Sequence, residues 1–340
     1  METQQAIQQI KQQPLAPMYL VTGTELYLQE QVRQAFLTRM EQDDLEELNF
    51  MRFDLEENNL VEVVAEAKTL PFFGDYRLIF VEQPAFLTSK GSASESEITQ
   101  LLAYLKAPLA STILVFWANY EKLDARKKVT KALKKAASEI ETAPLKENEL
   151  RRFLQQYLAN AGVKLNQDAL ELFLRLTDFE LTKAMNELEK LMLAAGDSGV
   201  ITKADVEALV PKTLEHNIFE LTEQILQGQT EAALKTYEEL HLQGEETIKL
   251  NAILIGQIRL LLQTKILQKI GYQQANIAET LSIHPYRVKL ALQQVKRFSL
   301  AFLTTLYDEL VENDYQVKVG QLDKELSFQL FILKTTAKLS

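Results

Sequence analysis

The sequence predicts a multidomain α/β plus all-α protein: a parallel α/β domain over residues 1–143, then two helical blocks over 144–212 and 213–340. Three observations carry this. Short β-rich runs alternate with helix-length segments through the first block. At Ala143-Pro144-Leu145 the alternation stops, and apolar residues then recur at three- and four-residue spacing. The chain has only 11 glycines and 8 prolines in 340 residues, about half the usual share and too few for a turn-rich all-β architecture.

The expected strands lie at 18–22, 49–53, 78–81 and 112–117, with a weaker one at 139–142. Leu78-Ile79-Phe80-Val81 and Ile113-Leu114-Val115-Phe116-Trp117 are apolar at consecutive positions, as strands covered on both faces require. The intervening segments are long enough for crossover helices between parallel neighbours. In the second block, helices are expected over 147–161, 168–177, 180–195 and 203–209. Gly162, Gly196 and Gly199 separate them, and Pro211 closes the group. In the third, helices are expected to stop at Gly228, Gly244 and Gly271 and to start at Pro285 and Ser299.

Charge narrows the function. There are 37 Lys and Arg against 47 Asp and Glu, a net charge of -10, and each block is acidic. Wrapping nucleic acid with the whole surface is excluded, whereas a local basic stripe is not. The absence of cysteine removes disulfides, thiol nucleophiles and thiolate metal sites and fits a reducing compartment. The polar start METQQAIQQIKQQP has no secretory apolar segment. The most apolar stretch, 250–267, is interrupted by Gln257, Arg259, Gln263 and Lys265, so no membrane span is expected. The expectation is a cytoplasmic protein with no membrane partner.

No catalytic constellation emerges, and no cofactor or metal site is expected. The first strand–helix junction, Val21-Thr22-Gly23-Thr24-Glu25-Leu26, has one glycine and no lysine. A phosphate cradle needs several glycines, and Glu25 and Glu30 would repel the anion. After the third strand only Glu82 is acidic, short of the paired acids that hold Mg²⁺ and activate water. His216, His241 and His284 are scattered, and His284 before Pro285 suits a helix start. The pairs Asp43-Asp44 and Glu245-Glu246 read as solvated turns and helix ends.

Three segments stand out. In Ala67-Lys68-Thr69-Leu70-Pro71-Phe72-Phe73-Gly74-Asp75, Pro71 and Gly74 bracket a bulky apolar tip. Phe72 and Phe73 either turn inward onto the sheet or form an exposed partner anchor. After the fourth strand, Lys127, Lys131, Lys134 and Lys135 fall near one helix face beside Arg126. This stripe is either a solvated face or a contact for phosphates or an acidic neighbour. Finally, 277–289 imitates a helix-turn-helix, although packing within a helical bundle is the favoured use.

Taken in order, these segments resemble the delta subunits of bacterial DNA polymerase III, clamp-loader components that open the sliding clamp. The resemblance rests on Tyr19-Leu20-Val21-Thr22-Gly23-Thr24-Glu25 with Tyr27-Leu28, on Leu70-Pro71-Phe72-Phe73-Gly74-Asp75-Tyr76-Arg77, and on Lys122-Leu123-Asp124-Ala125-Arg126-Lys127-Lys128. It continues in His284-Pro285-Tyr286-Arg287-Val288 and in 314–320 with Lys318. It implies an AAA+-like α/β domain with a degenerate phosphate loop, a small helical lid and a helical collar. The clamp-binding residues would be Leu70, Phe72 and Phe73, with Arg126, Lys127 and Lys131 as a DNA or subunit contact. The implied partners are the sliding clamp (beta), the tau/gamma and delta-prime loader subunits, and primed DNA. The chain would serve a DNA-directed DNA polymerase, a nucleotidyltransferase, without catalysis of its own. An AAA+-type nucleotide hydrolase and a helix-turn-helix regulator using 277–297 are the alternatives. The third block is expected to be the main assembly surface, with Ala252, Ile253, Leu254, Ile255, Leu260, Leu261 and Leu262 supplying its apolar area.

Overall fold

The computed structural model describes residues 3–41, 49–72 and 74–339. It divides into two units, one of residues 1–164 and 180–200 and one of 165–179 and 201–340. The first begins α1 (Thr3–Gln12), β1 (Met18–Thr22), α2 (Leu26–Glu41), β2 (Phe50–Asp54), α3 (Leu60–Ala67) and β3 (Arg77–Glu82). It goes on through α4 (Glu95–Tyr104), β4 (Thr112–Ala118), α5 (Lys128–Ala136) and β5 (Ser138–Glu141). All neighbouring strands pair in parallel, in the order β2-β3-β4-β1-β5.

The sheet is buried on both sides, which is why its strands are visible as apolar runs. Met18, Leu20, Ile79, Val81, Leu114 and Phe116 face a core that includes residues of α3, α4 and α5. Tyr19, Val21, Leu78, Phe80, Ile113, Val115 and Trp117 face the opposite core, with residues of α1 and α2. Alternate residues thus serve opposite faces, as the strand period of two demands. Each such aliphatic side chain contributes about 1.5–3 kcal/mol on burial. On the second face Phe80 meets Phe50 and Trp117 edge-on, with ring centroids 5.1 and 5.2 Å apart. Strand β2 begins one residue later than expected, although the Asn49 carbonyl still accepts the Leu78 N–H of β3 at 2.8 Å.

The chain then runs through α6 (Glu147–Asn160), β6 (Lys164–Leu165), α7 (Gln167–Leu176), α8 (Leu181–Ala195), β7 (Val200–Ile201) and α9 (Lys203–Leu209). It crosses between the units within β6 and β7 and between α7 and α8. In α6 the buried Leu150, Leu154 and Leu158 repeat every four residues, so one face is covered.

In the second unit follow α10 (Leu214–Leu226), α11 (Thr230–Leu242), α12 (Thr247–Lys269), α13 (Gln274–Leu281), α14 (Pro285–Gln294), α15 (Leu300–Lys318) and α16 (Lys324–Ala337). Helix α12 packs against α10, α14, α15 and α16. Leu250, Leu254, Ile258 and Leu261 are buried on it, with Ile255, Gln257, Leu260 and Thr264 to either side, whereas Lys249, Ala252, Gly256, Arg259 and Gln263 form an exposed stripe. The helix thus buries a wide face in the bundle and keeps one narrow face exposed. It is long and apolar enough to cross a membrane, but its buried leucines and isoleucines belong to the bundle core. The Pro285 start has the expected chemistry: the His284 ring accepts the Tyr286 N–H at 3.3 Å, and Pro285 occupies the first helical turn.

Burial, and then the nearby Lys212 ammonium, hold the His216 imidazole below its ordinary value near 6.5. The unfolded chain therefore takes up a proton below about pH 6.5 that the folded chain refuses. Stability is expected to fall as pH drops through that value and to level off below the folded pKa. Urea melts from about pH 7.5 to 5.5 check this. His216→Gln should flatten the slope, and an unchanged slope would remove His216 as its source.

Candidate functional site

In a sheet of this order, ligands collect beyond the carboxyl ends of the strands, where the direction of winding reverses. Here the chain fills that place with its own groups. The Thr142 N–H and hydroxyl both donate to the Thr22 carbonyl, at 2.7 and 3.0 Å, and the Thr142 carbonyl accepts the Glu25 N–H at 2.9 Å. Gly23 has φ of +118°, and a Cβ there would lie 2.3 Å from the Thr142 carbonyl carbon. Its freedom serves close packing against the end of β5. Glu25 is only 8% exposed. Its carboxylate accepts the Thr182 hydroxyl at 2.5 Å, and that hydroxyl accepts the Tyr27 N–H at 3.1 Å. The amides of Glu25 and Tyr27 at the start of α2, where a nucleotide domain would receive a phosphate, thus bind a carbonyl and a hydroxyl held by a carboxylate.

The acid at the end of β3 is neutralised as well. Glu82 accepts Arg33 Nη2 at 2.8 Å, and Arg52 Nε lies 3.5 Å from the same oxygen. The Arg33 guanidinium is stacked 4.4 Å from the Trp117 ring centroid. Nothing here favours the hydrolase alternative. Thr182→Val, which leaves the Glu25 carboxylate without its hydroxyl, should cost about 1–3 kcal/mol. Thermal melting measures it, with Thr182→Ser close to wild type. Equal melting of all three would show that this hydrogen bond does not hold the loop.

The apolar tip is built on a fixed stem. At the end of α3, the Ala67 carbonyl accepts both the buried Tyr104 hydroxyl at 3.2 Å and the buried Thr112 hydroxyl at 3.0 Å. The buried Arg77 guanidinium, on the far side of the loop, pairs with Glu66 on the last turn of α3. Beyond this clasp Leu70 and Phe72 are 67% and 68% exposed, although the Phe72 N–H donates to Asn49 Oδ1 at 2.8 Å. Gly74 turns the chain back with φ of +94°. Of the two orientations left open by the sequence, Leu70 and Phe72 take the outward one. Phe73, like the Asp43-Asp44 pair, lies outside the described residues.

The basic stripe divides. The Lys127 ammonium donates to the carbonyls of Phe86 and Gly91, at 3.0 and 2.7 Å, and so ties down the loop after β3. Arg126 is exposed but grips Asp124 through two hydrogen bonds of 3.0 Å, holding that carboxyl down at about 2. Lys131 is exposed on α5 together with Lys128 and Lys135, while Lys134 pairs with Glu139 at 2.8 Å.

The helix-turn-helix imitation, α13 and α14, packs around Ile277, Ala278 and Val288. Tyr286 lies on the Phe179 ring with centroids 3.9 Å apart, and Arg287 Nη1 is 3.3 Å from Glu215. Of the groups a recognition helix would present, Tyr286 and Arg287 are engaged within the protein. The expected assembly residues need correction: Leu254, Ile255, Leu260 and Leu261 are core, Ile253 and Leu262 are half-buried against it, and of the seven Ala252 alone is exposed. Besides Leu242, Ile248, Ile266 and Ile270, the exposed apolar side chains of this block include two rows, Val311, Tyr315 and Val319 at the end of α15 and Leu326, Leu330 and Leu333 along α16. Their spacing of three and four was the available signal, masked in sequence by the buried residues between them.

Comparison with known proteins accounts for this arrangement. Residues 19–143 match the family model described as DNA polymerase III, delta subunit, and residues 215–335 match that of the delta subunit's C-terminal domain. Residues 146–208 match a middle-domain model. The chain is 38% identical to the Bacillus subtilis DNA polymerase III subunit delta over 328 residues, 96% of this chain and 94% of the relative. A probable DNA polymerase III subunit delta of Aquifex aeolicus is 23% identical over 50% of this chain and 49% of its own length. Among solved structures, the Bacillus subtilis DNA clamp loader delta protein matches with a TM-score of 0.74 and 36% identity. That match covers 98% of this chain and 99% of the other.

Proposed function

The chain belongs to the DNA polymerase III delta-subunit family, and from that membership we propose that it binds and opens the sliding clamp within a bacterial clamp loader. The observation that carries the proposal is the outward apolar tip on its fixed stem. Leu70 and Phe72 supply exposed apolar surface, and Phe73 follows them in sequence. Aromatic anchors of this kind dominate protein interfaces when they enter a pocket on the partner. Binding energy gained at the tip would be available to stabilise a strained, open form of the ring.

In this reading, residues 1–143 are the AAA+-like clamp-binding domain, 144–212 the lid and 213–340 the collar. The boundaries of the three family matches support the division. The chain hydrolyses no nucleotide itself, so loader subunits of the tau/gamma type would supply the ATPase, with delta-prime completing the assembly. In this reading Lys131, which is exposed, and Arg126, exposed though paired with Asp124, face primed DNA, with Lys127 holding its loop in place. A cytoplasmic location follows from a replication role.

Capture of the intact chain from its own cell extract tests the proposal. The sliding clamp and the loader ATPases should come down with it. Recovery of neither, together with measurable ATP turnover by the isolated chain, would overturn it.

A further inference from the structure

We infer that Asn49 is a positioning residue that presets the clamp-binding tip. It rests on the reading of Leu70, Phe72 and Phe73 as the clamp contact. Asn49 lies just before β2 and is only 1% exposed. A buried amide is costly unless its polar atoms are bonded. Its Oδ1 accepts the Phe72 N–H at 2.8 Å, and its backbone carbonyl accepts the Leu78 N–H, also at 2.8 Å. One residue therefore grips the loop at the tip and again where β3 begins.

The Phe72 side chain points to solvent, so burial of its own ring does not hold the backbone in place. The Arg77–Glu66 pair and the two hydroxyls on the Ala67 carbonyl fix the stem several residues away. Pro71 restricts one backbone angle beside Phe72, and Gly74 at positive φ leaves the other side free to turn. The hydrogen bond from Asn49 thus connects the tip directly to the sheet. A tip ordered in advance does not pay for its ordering when it enters the clamp. Asn49 touches no partner in this scheme and acts through the main chain of Phe72.

The test uses the full chain and the purified sliding clamp, with Asn49→Leu and Asn49→Asp. The leucine removes the acceptor, while the aspartate keeps an oxygen within reach of the Phe72 N–H. Asn49→Leu is expected to bind the clamp about tenfold more weakly, mostly through faster dissociation. The Phe72 amide should exchange hydrogen about tenfold faster in that variant. Asn49→Asp should restore both readouts toward wild type, which a loss of general stability would not explain. Wild-type affinity in a folded Asn49→Leu protein would overturn the inference. So would a Phe72 amide in the wild-type chain that exchanges as fast as in an unstructured peptide, a result that stands even if Asn49→Leu fails to fold. Leu70→Ala with Phe72→Ala separates the two claims. If that double variant loses binding while Asn49→Leu keeps it, the contact stands and the positioning role falls. If the double variant binds normally, the contact itself is wrong and the positioning role falls with it.

Discussion

Alanine at both Leu70 and Phe72 is expected to weaken clamp binding by about a thousandfold while leaving the melting temperature nearly unchanged. Interface anchors contribute about 2 kcal/mol or more each on truncation, and two such losses multiply to about three powers of ten. The same side chains in a core would cost about 2–5 kcal/mol apiece in stability. Both are two-thirds exposed, so the structure predicts the first outcome and not the second. A large drop in melting temperature with unchanged clamp affinity would mean that the tip serves the fold. Clamp titration and thermal melting on one variant decide between them.

Glutamates at Leu326 and Leu330 on α16 are expected to prevent assembly with the other loader subunits and to leave clamp binding intact. The two leucines lie four residues apart and are exposed, as is Leu333 on the next turn. If a partner subunit covers them, each loses about 1.5–3 kcal/mol of burial, a weakening of about a hundredfold or more for the pair. Placing carboxylates in an apolar interface adds to the loss. Size-exclusion chromatography of the reconstituted loader reads the result. Normal assembly of the double variant would move the interface elsewhere, though not to Leu254 and Leu261 of α12, which are in the bundle core.

The sheet was legible because its strands are buried on both sides, so Leu78 to Val81 and Ile113 to Trp117 are apolar without a break. The same property misleads in α12. There, burial over a wide face produces the composition of a sticky surface, and sequence cannot distinguish covering by its own bundle from covering by another chain. The lack of a phosphate loop could be read from Gly23 and Glu25, but not the closure by Thr142 and Thr182, which come from distant parts of the chain. Lys127 was grouped with Lys131 by spacing alone. Its ammonium binds carbonyls 41 and 36 residues away in sequence, a link that periodicity does not carry. Asn49 read as the first residue of a strand, and its hold on Phe72 depends on a side chain turning across to the neighbouring loop.

The central claim is that this chain grips the sliding clamp by a preformed apolar tip and without nucleotide of its own. Titration of the purified clamp with the isolated full chain, with and without ATP and Mg²⁺, tests it most directly. The structure predicts saturable binding with the same Kd in both conditions, since the amides of Glu25 and Tyr27 at the start of α2 already bind the chain's own oxygens. No binding at all, or binding that appears only when ATP is added, would contradict it.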